Sequence, residues 1–319
     1  MTRFAKYAVL LAATAAVPSR ISTAADVTST YSGPSANWTT AQWINAPGGF
    51  PNNGNGGFTY DAVFSGGSTL TLDQSIIIQK LTMTGGAITG TFDLTTNDTL
   101  HWTGGTMSGA GTTNANGGAQ FDDYQEFVDG RTLNIGGPAT LTGNVASQVG
   151  YLYVSNGATL NNSSTFDTGW STNFNNNIAA NGAAGTFNNL GTFTRSVGSG
   201  TTNVTVPFNN SGIVKVQAGT IALSGGGMDS GSFQVAAGTT LGFAGSTTLT
   251  GAAILSVAGN LIVNGPTSLN SNMLTGNGSL SILSNGTLTV TPTISTSLAL
   301  NIVGGTLNGG GAVTFGGAV

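Results

Sequence analysis

The chain has no cysteine and a single histidine, His101, in 319 residues, and only 6% of its residues are charged. Without cysteine there are no disulfides and no thiolate metal sites, and a lone imidazole leaves a Zn²⁺ site without its usual ligand set. Seven Lys and Arg against 11 Asp and Glu give a formal net charge of −4, the opposite of the basic footprint of a nucleic-acid binder. Long hydrophobic runs are missing as well. The most apolar stretch, residues 8–17, stops at Pro18, short of the roughly 20 residues a membrane-spanning helix needs. What the chain has instead is 51 Gly, much Thr, Ser and Asn, and regularly placed Leu, Ile, Val and Phe. That apolar content separates it from a disordered low-complexity chain.

The first residues read as a secretory signal peptide: Arg3 and Lys6, the apolar run, then Ser22, Thr23, Ala24 and Ala25 as small residues for cleavage. Residues 1–25 are therefore set apart from the fold. The expected mature chain keeps four basic residues (Lys80, Arg131, Arg195, Lys215) against 11 acidic ones, about −7. An exported chain without cysteine must be held by backbone hydrogen bonds and an apolar core.

Internal periods decide the fold class. Gly-Gly pairs begin at Gly66, Gly85 and Gly104, 19 residues apart, and again at Gly117 and Gly136. Gly219, Gly238, Gly259 and Gly278 follow at 19, 21 and 19. Between them lie short segments in which apolar residues alternate with Thr, Ser or Lys, as in residues 69–72, 80–83, 213–216 and 280–283. Period two between Gly and Asn punctuation is a strand signal, and nothing between these glycines keeps a helical period. The expectation is an all-β parallel β-helix, or β-solenoid, with 19–21 residues per coil and almost no helix. Stacked at about 4.8 Å, some 12 to 14 coils would make a rod on the order of 60 Å long. Gly takes the tight corners, and Asn116, Asn156, Asn264, Asn277 and Asn285 are expected at others, with side chains able to stack into Asn ladders. Residues 26–65, rich in aromatics and Pro, are expected to cap the first coil; residues 66–319 carry the repeats.

Residues 185–193 (Gly-Thr-Phe-Asn-Asn-Leu-Gly-Thr-Phe), 200–206 (Gly-Thr-Thr-Asn-Val-Thr-Val) and 219–227 (Gly-Thr-Ile-Ala-Leu-Ser-Gly-Gly-Gly) resemble the β-strand repeats of large bacterial extracellular proteins, the adhesin-like or autotransporter-passenger-like group. Residues 102–113 and 129–134 are similar to the same group. The resemblance implies a parallel β-helix secreted to the surface or matrix of a Gram-negative-type bacterium, with extracellular glycans or neighbouring surface proteins as partners. It supplies no catalytic residues. No terminal membrane barrel of the autotransporter kind is visible in the sequence. An uncovered last coil is expected to favour end-to-end self-association.

Three places could carry chemistry. Asp122, Asp123 and Glu126 form the one acidic cluster, and polysaccharide lyases and hydrolases on β-helices use clustered carboxylates for acid–base work or to hold Ca²⁺. Against this, adjacent Asp122 and Asp123 would face opposite ways on a strand, and His-Gly and Arg-X-Lys elements are missing. The alternative is a solvated loop with Arg131 paired to Asp129 or Glu126. His101 sits beside Trp102, and a strand would place one of the two in the core. Trp38 and Trp43 could stack on sugar rings, which requires both exposed on one flat surface; otherwise they belong to the cap. The sequence thus favours a structural or adhesive rod with no catalytic residues and no cofactor, over a carboxylate enzyme or a glycan-binding module.

Overall fold

A computed structural model describes residues 26–122, 125–143, 148–170 and 173–317. They form a parallel β-solenoid whose strands lie in three stacks. Every ladder between neighbouring turns is parallel, and the third stack runs unbroken through 12 strands from Ile76–Ile78 to Thr306–Asn308. Among the described residues the only helical element is the 3-10 turn Asn55–Gly57. Twelve rungs at about 4.8 Å give a rod about 60 Å long.

The alternation read from the sequence is what builds the wall. In Thr240–Phe243, Leu241 and Phe243 are buried while Thr240 and Gly242 face outward, and Thr220–Leu223 below it repeats the pattern. Each inward residue lands on its counterpart one turn away, so the core is a set of columns: Ile221, Leu241, Leu261 and Leu280 make one of them. The rings of Trp102, Phe121, Phe166, Phe193 and Phe187 touch in sequence through the centre, with centroids 5.3 to 6.0 Å apart.

Turn length is less regular than the glycine spacing. Thr112, Thr132, Thr159 and Thr186 pair in succession, so turns of 20, 27 and 27 residues follow one another, while later turns return to about 20. The early glycine pairs mark a corner. Lys80–Thr89 and Leu100–Ser108 each serve the first and second stacks and bend at their Gly-Gly. At Gly105 φ is +96°, and a Cβ there would lie 2.5 Å from the carbonyl oxygen of Gly86 in the turn below, so both conformation and space demand glycine.

The Asn corners differ from expectation. Of the five named, only Asn156 has positive φ; among the described residues Asn45 and Gln148 are the other non-glycine residues that do. The rest have ordinary backbone, with positive φ taken by Gly118 near Asn116 and by Gly276 beside Asn277, and by neither Gly265 nor Gly286 beside Asn264 and Asn285.

The first turn is closed by its own chain. Asp26–Tyr31 pairs with Thr59–Phe64 on one side. On its other side Thr30 exchanges two hydrogen bonds with Ile44 (3.1 and 2.9 Å), and the Asn45 amide donates to the Thr28 carbonyl at 3.0 Å. Backbone groups that would be an open edge are thereby paired. At the far end, Ile302 and Val303 in Ala299–Val303 are half-exposed.

Candidate functional site

Asp122 follows the strand Ala119–Phe121 and lies on the outer face, where its carboxylate meets His101 Nε2 at 2.7 Å and accepts from Thr142 Oγ1 at 3.1 Å. Glu126 sits on Gln125–Asp129, alternating with Val128, and is wholly buried. Asp122 and Glu126 are therefore on opposite sides of the wall; Asp123 lies outside the described residues. The solvated-loop alternative is corrected here, since residues 125–129 form a strand of the second stack paired on both sides. His101 and Trp102 divide as a strand requires, Trp102 inward with no exposure and His101 outward.

Trp38 and Trp43 do not present a flat sugar-stacking surface. Both are buried, their rings 4.7 Å apart, with Trp38 Nε1 donating to the Pro51 carbonyl and Trp43 Nε1 to the Trp38 carbonyl. They fill the space beneath the segment that closes the first turn, because burial with a satisfied N–H is the better use of an indole there. Among the described residues no group of three or more His, Cys, Asp or Glu side chains could hold a metal, and no helix is long and apolar enough to cross a membrane.

The buried charges are elsewhere. Arg131 was expected to pair with Asp129 or Glu126; instead it is enclosed and all its donors meet neutral oxygens. Nε donates to Thr113 Oγ1 at 2.8 Å, one terminal nitrogen to the Gly90 and Ser108 carbonyls, and the other to those of Phe92 and Thr112. All five guanidinium N–H groups are used, and one side chain clasps three successive turns. Desolvation lowers its pKa to about 10, so it stays charged at neutral pH. Arg195 is also buried and donates to the Thr168 and Phe174 carbonyls and to Thr202 Oγ1, with its Nε left unpartnered.

Asparagine supplies two ladders that the sequence reading did not place. The inward one stacks Asn162, Asn189 and Asn210, each of the first two donating to the next oxygen at 2.8 Å. The following rung of that column is Asp229. Burial pushes its carboxyl up to about 7, against the lowering effect of the Asn210 N–H it accepts.

The outward ladder runs the other way. Asn209, Asn188, Asn161 and Asn134 each donate to the rung below at 2.8 to 3.0 Å, ending on Asn114. Its direction is set at one end, where the Met228 backbone N–H needs an oxygen and takes Asn209 Oδ1 at 3.1 Å. Beside this column lies an open trough of about 540 Å³, lined also by the outward column of Ser163, Leu190, Ser211 and Ser230. Leu190 and Met228, 57% and 65% exposed, rise from it, and none of its lining side chains is charged. The signal for the ladder was the recurring Thr-X-Asn at residues 112–114, 132–134, 159–161 and 186–188.

No family model, curated protein or solved structure matches the chain.

Proposed function

We propose that the protein is a secreted structural or adhesive rod, working at the cell surface or in the extracellular matrix. The observation that carries this reading is the continuity of the third stack. One parallel ladder joins residues 76–308, and buried Arg and Asn side chains add bonds between turns at its centre. Such a lattice resists local opening, because each rung is held by both neighbours. Extended surface and low charge suit contact with glycans or neighbouring surface proteins. For a polysaccharide lyase or hydrolase on the same fold, Asp122 offers a carboxylate on the outer face while Glu126 is enclosed.

The test is persistence and shape. Electron microscopy of the full chain is expected to show rods about 60 Å long in their repeat region, and a broad-specificity protease is expected to leave that region intact. Compact particles, or rapid cleavage within the turns, would overturn the reading.

A further inference from the structure

We infer that the trough beside the outward Asn ladder binds an extended, uncharged polysaccharide chain laid along the rod axis. The inference deepens the adhesive reading and rests on it. Each amide has two N–H groups and an oxygen with two lone pairs. At Asn134, Asn161 and Asn188 the ladder uses one N–H and one lone pair. One donor and one acceptor per rung are left at the half-buried surface, repeating every 4.8 Å or so. A sugar hydroxyl both donates and accepts, so it satisfies such a pair. An extended pyranose chain also repeats on a length close to one rung, which lets successive sugars meet successive amides in register.

The walls complete the match. Leu190 and Met228 give apolar surface for the C–H faces of the rings, and the flexible Met thioether adapts to their shape. Ser163, Ser211 and Ser230, which share an outward column with Leu190, add hydroxyls along the same wall. With no cation in the lining, a uronate or sulfated chain would shed water from its charges without finding a partner. An extended peptide is a poorer occupant, because it advances about 3.3 Å per residue and falls out of register with amides spaced at about 4.8 Å.

The test is affinity electrophoresis of the full chain in gels holding dextran, a soluble mannan, hydroxyethyl cellulose or polygalacturonate, at low and high salt. Retardation by at least one of the three neutral polymers, insensitive to salt, is expected. It should weaken at least about tenfold in Leu190→Glu and in Met228→Glu. It should persist in Ile77→Glu, a half-exposed position on the same outward column but outside the trough. All three positions are exposed, so unchanged melting temperatures verify that the variants fold. No retardation by any neutral polymer, retardation by polygalacturonate alone, or binding retained in both trough variants would each overturn the inference and leave the rod standing. Depolymerisation of a retarding polymer would instead overturn the rod reading.

Discussion

One inward column of the third stack changes character along the rod. It opens with Ile78, Thr96, Ala115 and Ile135, turns polar at Asn162, Asn189, Asn210 and Asp229, and then reads Leu249, Leu269 and Val290. The backbone is the same, as are the register and the degree of burial. What differs is how the position is satisfied. Asn162 and Asn189 each donate to the next amide, and all three Asn also reach a carbonyl of the first stack: Thr192 for Asn162, Ile213 for Asn189, Ser232 for Asn210. The aliphatic run that follows needs only volume. A solenoid column therefore accepts polar residues in runs, since an amide is tolerable when its neighbours in the column are amides too. Asp229 is the join, a carboxyl between an amide and a leucine, and it carries the raised pKa expected there.

Breaking the Arg131 clasp, in the turns that precede the polar run, should have the largest effect. Arg131→Met removes all five guanidinium hydrogen bonds to four carbonyls and the Thr113 hydroxyl, and is expected to cost at least about 5 kcal/mol in denaturant unfolding. A variant unfolding at the original denaturant midpoint would show that water replaces the guanidinium without loss.

The join should respond to pH. Asp229 has a folded pKa of about 7, above its unfolded value, so the native state holds the proton more tightly. Stability is then greatest below about pH 4, falls as pH rises towards 7 and levels off above it, by at most about 4 kcal/mol. Asp229→Asn should remove this slope and raise the melting temperature at pH 8. An identical pH profile in the variant would mean the slope belongs to other groups.

Exchanging residues between the two runs sharpens the comparison. Leu269→Asn places an amide between Leu249 and Val290, and Asn189→Leu strands the amides of Asn162 and Asn210. Each is expected to cost about 3 kcal/mol, whereas a column indifferent to its neighbours would make one of the two neutral. The outward ladder should matter least to stability. Asn161→Ala, at a half-buried surface rung, is expected to cost about 1 kcal/mol or less, measurable as a small shift in melting temperature.

Much of the fold was legible in the sequence. Gly85-Gly86 and Gly104-Gly105 mark true corners, and period-two segments such as residues 213–216 are the strands they were read as. The Asn ladders were harder to place, because Asn114, Asn134, Asn161, Asn188 and Asn209 are 20, 27, 27 and 21 apart. The added residues fall both between the first and second stacks, from Leu141 to Val149 and from Asp167 to Asn175, and between the second and third, from Ala179 to Thr186, which hides the ladder from any search at a fixed period. The environments of Arg131 and Glu126 were hidden for a different reason. A charge in a Gly-rich chain reads as solvated, and only the carbonyls that adjacent turns bring around Arg131 make its burial affordable. Trp38 and Trp43 could have faced either way until the course of residues 38–58 over the first turn was known.

The most direct test of the account is turnover by the full chain against neutral and acidic polysaccharides, with and without Ca²⁺. A rod predicts no new reducing ends or unsaturated products under any condition, with Asp122→Ala indistinguishable from the parent. Cleavage that is abolished by Asp122→Ala would contradict the account and make the outer-face carboxylate an active-site residue.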